Sequence, residues 1–137
     1  MKRILITCCL GFFGANLVDR LISTSEVTVP DDLSSSRVAS VRQHMANPKF
    51  KLLEGSVLDQ RNIDEAVAGA DEAAHLVAMV SVNRSLEDPN LVRRTNVERT
   101  LNVLESCLRH SVKRMTFAST AAVYGNHLSK HSSSVKI

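Results

Sequence analysis

The chain has 137 residues, of which 44% are hydrophobic and 23% charged, with a net charge of +3. This length and balance suit one domain with its own hydrophobic core. Basic residues are scattered and aromatic residues make up only 4%, so we expect no nucleic-acid surface, which needs a basic stripe. No apolar run approaches a membrane span and no signal-peptide cleavage site follows the start, which favours a cytoplasmic protein.

The predicted elements alternate between apolar strands and amphipathic helices. Strands are predicted at residues 3–7, 26–30, 50–55, 72–78 and 113–119. Helices are predicted from near Gly11, weakly at 37–46, from an Asp59 N-cap to a Gly69 terminator, and from about Asn90 to His110. This alternation predicts an α/β fold, a Rossmann-type parallel sheet in the order 3-2-1-4-5 with helices on both faces. Residues 1–126 would form this domain and 127–137 an irregular, mobile tail.

The turn after the first strand has the features of a phosphate-binding loop. Gly11 and Gly14 are the last two glycines of a G-x-x-G-x-x-G arrangement that has Cys8 at its first position. Glycines let backbone N–H groups approach a phosphate, and the following helix directs its positive N-terminus there. Asp31 lies 20 residues after Gly11, where a carboxylate binds ribose hydroxyls and repels a 2′-phosphate. We therefore expect NAD, with NADP less favoured although Arg37 could serve it.

Plainer interpretations of these residues stay open. Gly11 and Gly14 could be ordinary turn and packing glycines, and Asp31 an Asx-turn residue. Cys8, Cys9 and Cys107 show neither a disulfide framework nor zinc spacing. His127 and His131 are four residues apart but lack a third ligand and a convincing helix, so we expect no metal.

Six segments carry a family resemblance, in this order: GFFGANLVDRL, DDLSSSR, LLEGSVLD, HLVAMVSVNRSLEDP, TNVERTLNVLE and FASTAAVYG. Over residues 1 to about 125, the chain resembles the extended short-chain dehydrogenase/reductase family, particularly NAD-dependent sugar-nucleotide epimerases and dehydratases of the UDP-glucose 4-epimerase type. The resemblance implies transient oxidation of a sugar hydroxyl by NAD, then epimerisation or dehydration. The implied partners are NAD and a nucleotide-sugar.

The resemblance also implies roles for single residues. The residues implied to contact NAD are Gly11, Phe12, Phe13 and Gly14 at the pyrophosphate, Asp31 and Asp32 at the ribose, Ser56 and Val57 beside adenine, Leu76, Val77 and Ala78 along the channel, and Thr95, with Asn96 supporting the backbone. Thr120 matches the catalytic Ser/Thr that hydrogen-bonds the reacting sugar hydroxyl. The plainer interpretation of residues 76–78 is a buried strand, and that of Thr120 is a capping hydroxyl.

The chain departs from the family pattern in the catalytic pair. The family uses a Tyr-x-x-x-Lys pair, in which the lysine lowers the tyrosine pKa so that the phenolate acts as base. Tyr124 is followed four residues later by Leu128, so it is not that tyrosine. We therefore expect the amino-terminal, cofactor-binding portion of an enzyme, inactive alone. A non-catalytic dinucleotide-binding or interaction module and a hydroxysteroid-type dehydrogenase fragment remain alternatives.

Other departures predict weak cofactor binding and an incomplete surface. They are Cys8 and Cys9 in place of glycines, Ser56 in place of an aspartate, Arg99 in place of a glycine, and Pro30, which would remove a ladder donor from an inner strand. The long helix should bury a face formed by Val97, Leu101, Leu104 and Leu108. In the family, part of this face meets a partner helix and further elements cover the fifth strand. We therefore expect a sheet edge and some exposed apolar surface, which favours self-association.

Overall fold

A computed structural model of the chain describes residues 1–7, 10–33, 38–76, 78–79 and 81–124. Within them, the chain forms a five-stranded sheet in the order β3-β2-β1-β4-β5. Its strands are β1 (Lys2–Thr7), β2 (Ser25–Asp31), β3 (Phe50–Glu54), β4 (Glu72–His75) and β5 (Arg114–Phe117). All four neighbouring pairs are parallel. The predicted Rossmann-type order is confirmed, although β4 ends three residues earlier than predicted.

The helices follow the strands as expected, with two differences. The α-helices are α1 (Phe12–Leu21), α2 (Gln60–Val67), α3 (Val82–Glu87), α4 (Pro89–Arg93) and α5 (Arg99–Arg109). Short 3-10 helices cover Val38–His44 and Ala121–Tyr124, and a π-helical turn covers Arg94–Glu98. The predicted single helix over 90–110 is thus α4, the π turn and α5 in succession. The sequence analysis did not predict α3.

Local signals around α2 behave as predicted. Asp59 Oδ1 accepts a hydrogen bond from the Arg61 N–H at 2.9 Å, so Asp59 is the N-cap. Gly69 follows the C-cap Ala68 and has φ +79°, the left-handed conformation that favours glycine after a helix. A Cβ at Gly69 would also contact Nη1 of Arg3, at the end of a flexible side chain that can move. The left-handed conformation is therefore the main reason for glycine here.

Alternate residues of the inner strands build two cores on opposite faces of the sheet. Ile4 and Ile6 of β1 pack with α1 and with the 3-10 helix over Val38–His44. Leu5, between them, packs with α2 and α5 on the other face. The predicted coverage of both faces is therefore confirmed. None of the helices in the described residues has the length and apolarity needed to cross a bilayer.

Pro30 lies on an inner strand and removes one donor from its ladder. The Val27 N–H donates to the Lys49 carbonyl, at the β3 side of β2. Since hydrogen-bonding direction alternates along a strand, position 30 faces β1. The pairing of β2 with β1 ends at Leu5 and Thr28, whereas the pairing of β2 with β3 continues to Asp31. The structure thus agrees with the predicted loss of a ladder donor, because the β1–β2 ladder stops where the N–H of residue 30 would donate.

The predicted buried face of the long helix is largely exposed. Val97, Leu101, Leu104 and Leu108 are 48%, 49%, 40% and 79% exposed. The buried face of α5 instead carries Val103, Ser106 and Cys107. The prediction of a buried apolar face is wrong, whereas the expected exposed apolar surface and the position of β5 at a sheet edge are confirmed.

Candidate functional site

The N-terminus of α1 lies at the carboxyl edge of the sheet, after β1. Gly11 is its N-cap and no side chain caps the first turn, which also contains no acidic residue. The first N–H groups of a helix lack intrahelical partners and carry partial positive charge, so this end can bind an anion such as a pyrophosphate. Gly14 is buried against the sheet side of α1. Cys8 and Cys9 lie outside the described residues.

Phe12 and Phe13 contribute their backbone to this helix end and their rings to the surface. Both side chains are exposed, and the rings contact each other edge to face with centroids 5.6 Å apart. The two rings therefore project to the surface, while the backbone N–H groups of these residues belong to the first turn of α1.

The end of β2 places two carboxylates at the same edge. Asp31 Oδ1 accepts a hydrogen bond from the Leu33 N–H at 2.9 Å, an Asx turn in which Leu33 has φ +57°. Partial burial raises the pKa of Asp31, and the hydrogen bond from Leu33 opposes this shift. Asp32 Oδ2 lies 3.9 Å from Nη2 of Arg99 on α5. The Asx turn is present, and it uses only Oδ1 of Asp31.

The loop after β3 is held by α5. Ser56 Oγ accepts a hydrogen bond from the Leu58 N–H at 3.2 Å. The Val57 side chain is buried in the core between the sheet, α2 and α5. Asn102 Nδ2 donates to the carbonyls of Val57 and Leu58 at 3.1 and 3.2 Å. The predicted adenine-side residues therefore lie beside α5, with Ser56 engaged in a local turn.

A buried hydrogen-bond chain crosses the sheet below the carboxyl edge. Thr100 Oγ1 donates to the Asn96 carbonyl at 2.7 Å, so it accepts from Nε2 of His75 at 3.0 Å. Nδ1 of His75 then accepts from Thr7 Oγ1 at 2.9 Å, and that oxygen accepts from the Leu76 N–H. Every group in the chain is satisfied by one neutral tautomer, assigned from these partners. Burial lowers the pKa of His75 to about 4.

Asn96 fixes the loop after β4. Its Oδ1 accepts from the Met79 N–H at 2.7 Å and its Nδ2 donates to the Met79 carbonyl at 3.0 Å. This pair of bonds is the backbone support that the resemblance implied for Asn96. Of the predicted channel residues, Leu76 is half-buried and Ala78 is exposed, while Val77 lies outside the described residues.

Thr95 and Thr120 complete the predicted set. Thr95 is only 5% exposed, and its hydroxyl forms no hydrogen bond within the described part of the chain. Thr120 is exposed and lies after β5, where its carbonyl accepts from the Val123 N–H at 3.2 Å. The Thr120 backbone therefore precedes the last 3-10 helix and accepts its first hydrogen bond, and the residue is exposed at this edge.

The π turn just before α5 has its own stabilising contacts. The Arg99 N–H donates to the Arg94 carbonyl, five residues earlier. Arg93 Nη2 also lies 2.9 Å from Glu98 Oε1, a pair at the same five-residue spacing. Such turns carry one extra residue compared with an α-helix and are frequent at functional sites. Here the turn contains Thr95 and Asn96 and directly precedes Arg99.

The fold brings most predicted site residues to one edge of the sheet. Gly11, Asp31 and Thr120 follow β1, β2 and β5, and Thr95 lies on the helical segment packed beside β4. An uncapped helix end and a carboxylate after the next strand fit the pyrophosphate and ribose of a dinucleotide. Arg99 adds a cation that such a site does not require. Within the described residues, no group of three potential metal ligands occurs; His127 and His131 lie outside them.

Three supporting polar residues were not predicted from the sequence: His75, Thr100 and Asn102, each of which hydrogen-bonds to another element. The signal for them was a polar side chain within an apolar strand or on the sheet-facing side of a helix, since buried polar groups require partners.

A family model described as the NAD dependent epimerase/dehydratase family matches residues 4–136. The dTDP-glucose 4,6-dehydratase of Mycolicibacterium smegmatis is 35% identical over 129 residues, covering 90% of this chain and 38% of that protein. The UDP-glucose 4-epimerase of the same species is 32% identical over 126 residues, covering 90% and 40%. The chain therefore spans about two fifths of the length of these curated relatives.

Solved structures show the same similarity. The UDP-N-acetylglucosamine 4-epimerase from Methanobrevibacter ruminantium M1 matches with a TM-score of 0.85 at 26% identity, covering 98% of this chain and 43% of that one. The UDP-glucose 4-epimerase from Brucella ovis, solved in complex with NAD, matches with a TM-score of 0.76 at 26% identity, covering 92% and 38%.

Proposed function

Because the chain belongs to the NAD-dependent epimerase/dehydratase family, we propose that it is the cofactor-binding portion of a sugar-nucleotide epimerase or dehydratase. One observation carries the proposal: the uncapped α1 N-terminus at Gly11 and the Asp31 carboxylate follow neighbouring strands at one edge of a 3-2-1-4-5 parallel sheet. Dinucleotides bind sheets of this order at that edge.

Each part of the site would have a separate task. The N–H groups at the start of α1 would bind the pyrophosphate, and Asp31 would accept hydrogen bonds from the adenosine ribose. Thr95 would contact the cofactor with a hydroxyl that has no hydrogen-bond partner in the described residues. NAD, when bound, supplies a hydride acceptor for oxidation of a sugar hydroxyl. Asp31 would disfavour the 2′-phosphate of NADP by charge repulsion.

We also propose that the substrate is a nucleotide-sugar and that this chain alone does not turn it over. The relatives named above act on dTDP- or UDP-linked sugars according to their names. Thr120 would orient a sugar hydroxyl through a hydrogen bond. The chain contains a single tyrosine, Tyr124, and Leu128 stands where a partner lysine would be needed. The proton-transfer base is therefore missing from these residues.

Cofactor affinity should be reduced by the side chain at position 8. A Cβ in a turn that needs a left-handed conformation costs on the order of 1–2 kcal/mol. Each 1.4 kcal/mol corresponds to about tenfold in affinity. We therefore propose that Cys8 and Cys9 weaken NAD binding by about tenfold or more relative to glycines.

Calorimetric titration tests the cofactor proposal. We expect the chain to bind NAD more tightly than NADP. The variant Asp31→Asn should bind NAD more weakly than wild type does. It should also show a smaller difference in affinity between NAD and NADP, because it loses the charge that repels a 2′-phosphate. The double variant Cys8→Gly/Cys9→Gly should bind NAD more tightly than wild type. Absence of NAD binding to both forms would refute the cofactor assignment, and equal affinities would refute only the effect of the cysteines.

Product analysis tests the second part. The purified chain is incubated with NAD and, separately, UDP-glucose, UDP-galactose or dTDP-glucose, and products are separated by chromatography. We expect no product from any substrate. Steady turnover that remains with the protein through purification, and is lost in Thr120→Val, would show that the chain carries a complete active site.

A further inference from the structure

Arg99 extends from the start of α5 toward the end of β2. It is the first residue of α5, immediately after the π turn, and its Nη2 lies 3.9 Å from Asp32 Oδ2. The Arg99 side chain is 24% exposed, so most of it is covered by protein. A long side chain therefore spans the distance between a helix and the strand end that carries both predicted ribose carboxylates.

Asn102 shows which surface of α5 this is. Residues three apart on a helix lie on the same face, and Asn102 contacts the carbonyls of Val57 and Leu58 in the loop after β3. The face that carries Arg99 and Asn102 therefore borders both the end of β2 and the loop after β3. Adenosine bound through its ribose at Asp31 would lie between these two segments. Arg99 therefore stands in the space, between the end of β2 and the loop after β3, that the adenosine end of a dinucleotide would take; we call this space the adenosine end of the cofactor groove.

The present position of Arg99 is weakly held. Its Nε is buried and has no hydrogen-bond partner, the only such side-chain atom among the described residues. An unpaired buried donor on a charged group is unfavourable. The contact with Asp32 is long, and its carboxylate is 37% exposed, so the ion pair contributes little. A side chain held in this way can leave its position without disrupting the fold.

We propose that Arg99 occupies the adenosine end of the cofactor groove when the groove is empty and must move out before an adenine nucleotide binds. This inference depends on the proposed cofactor site. It predicts that Arg99 lowers the affinity for every ligand with an adenosine end, including NAD and AMP. It predicts no effect on nicotinamide mononucleotide, which lacks adenosine.

Calorimetric titration of NAD, AMP and nicotinamide mononucleotide against four proteins tests this. They are wild type, Arg99→Ala, Arg99→Lys and the control Arg94→Ala. Arg94 lies on the same helical segment and has a 59% exposed side chain, whose one ion pair among the described residues is with Glu98 at 3.8 Å. We expect Arg99→Ala to bind NAD and AMP about threefold more tightly than wild type, a modest gain because the side chain that must move is weakly held. Arg99→Lys, with a shorter reach, should be intermediate, and Arg94→Ala should match wild type.

Salt provides a second measurement with an uncharged probe. Because salt screens a partly exposed ion pair, raising the ionic strength should tighten adenosine binding to wild type slightly, in keeping with the small contribution of the pair, but should not tighten binding to Arg99→Ala. Unchanged or weaker nucleotide binding in Arg99→Ala would overturn the inference, since Arg99 would then be neutral or a ligand contact. If Arg99→Ala does not fold, Arg99→Lys decides in the same way. Binding of NAD to wild type without tightening in either variant leaves the proposed function intact, whereas absence of binding to all four proteins refutes both.

Discussion

Thr7 Oγ1 and Nδ1 of His75 lie 2.9 Å apart on the neighbouring strands β1 and β4, with both residues fully buried. Thr100, which donates its own proton to the Asn96 carbonyl, accepts from the other ring nitrogen. A protonated ring would carry a proton on Nδ1, so the Thr7 hydroxyl could no longer donate to that nitrogen and would have to turn its own proton elsewhere. Together with burial, this arrangement favours the neutral ring in the folded protein.

The stability of the domain should therefore depend on the protonation of His75. Burial lowers the pKa of the folded ring from 6.5 to about 4, so below pH ~6.5 the unfolded chain binds a proton that the folded protein does not. The contribution of His75 to the free energy of unfolding should be fully present above pH ~6.5. It should decrease as the pH drops toward ~4, by at most about 3 kcal/mol. Urea unfolding at a series of pH values measures this loss.

The variant His75→Gln separates this effect from other titrating groups. It should be less stable than wild type at pH ~7.5, by about 1–3 kcal/mol for disturbed buried hydrogen bonds. Between pH ~7.5 and ~5, however, it should lose less stability than wild type, because its side chain does not titrate. The same loss in both proteins would mean that His75 is not the group responsible.

Asp64 should link α2 to α5. Its Oδ1 accepts from Ser106 Oγ at 2.6 Å and from Arg109 Nη2 at 2.8 Å. The hydrogen bond from Ser106, and then that from Arg109, lower the pKa of Asp64. Its contribution to stability should therefore be lost as the pH falls through this lowered folded pKa. Asp64→Ala should destabilise the domain by about 1 kcal/mol at neutral pH. Glu65→Ala is the control, since the one ion pair of Glu65 within the described ranges is a long one to Lys51 at 3.9 Å. This variant should change the melting temperature little.

Gly69→Ala should destabilise the domain for two separable reasons. The left-handed backbone at φ +79° disfavours any side chain, by about 1–2 kcal/mol. The new Cβ would also press on Arg3 Nη1. In Gly69→Ala/Arg3→Ala, only the backbone contribution of the alanine should remain. The loss of unfolding free energy in the double variant should therefore be smaller than the sum of the losses in the two single variants. Strict additivity in chemical denaturation would show that the Arg3 contact carries no energy.

The exposed apolar face of α5 should pair with a second copy of the chain. Leu104 lines a pocket of about 290 Å³ at the β5 edge, together with Thr100, Met115 and Phe117. Leu101 and Leu108 are exposed on the same helix. An apolar surface next to an open sheet edge favours association. Leu101→Glu/Leu108→Glu should shift the mass measured by light scattering toward the monomer. Leu86→Glu, an exposed site on α3, is the control, and equal effects of both variants would rule out a specific α5 interface.

The sheet was predictable because its signals are local. Apolar strand runs, the Asp59 cap and the Gly69 terminator each act within a few residues, and together they fixed the element order. The long helix was not predicted correctly because its most apolar face is not its buried one. Asn96, Thr100 and Ser106 face the protein and are satisfied by Met79, His75 and Asp64. Hydrophobicity along one chain does not reveal partners that are distant in sequence.

The backbone positions of the site could likewise be predicted from the sequence, but the side-chain position of Arg99 could not. Gly11 and Asp31 could be placed at one edge because parallel strands share their carboxyl ends. The position of the Arg99 side chain could not, since it depends on the π turn before it. A π turn differs from an α turn by a single inserted residue, for which the amino-acid composition of Arg94–Glu98 gives no clear signal.

The π turn makes the helical segment more sensitive to a change of length than to a change of side chain. Deletion of one residue within Arg94–Glu98 would restore continuous α-helix and rotate α4 relative to α5 by about 100°. Asn96 lies within the π turn and Arg99 directly after it, so the two side chains could not then both keep their present directions toward Met79 and Asp32. The inserted residue thus sets the angular phase between two halves of one helix, and hence between the loop after β4 and the ribose end of the groove.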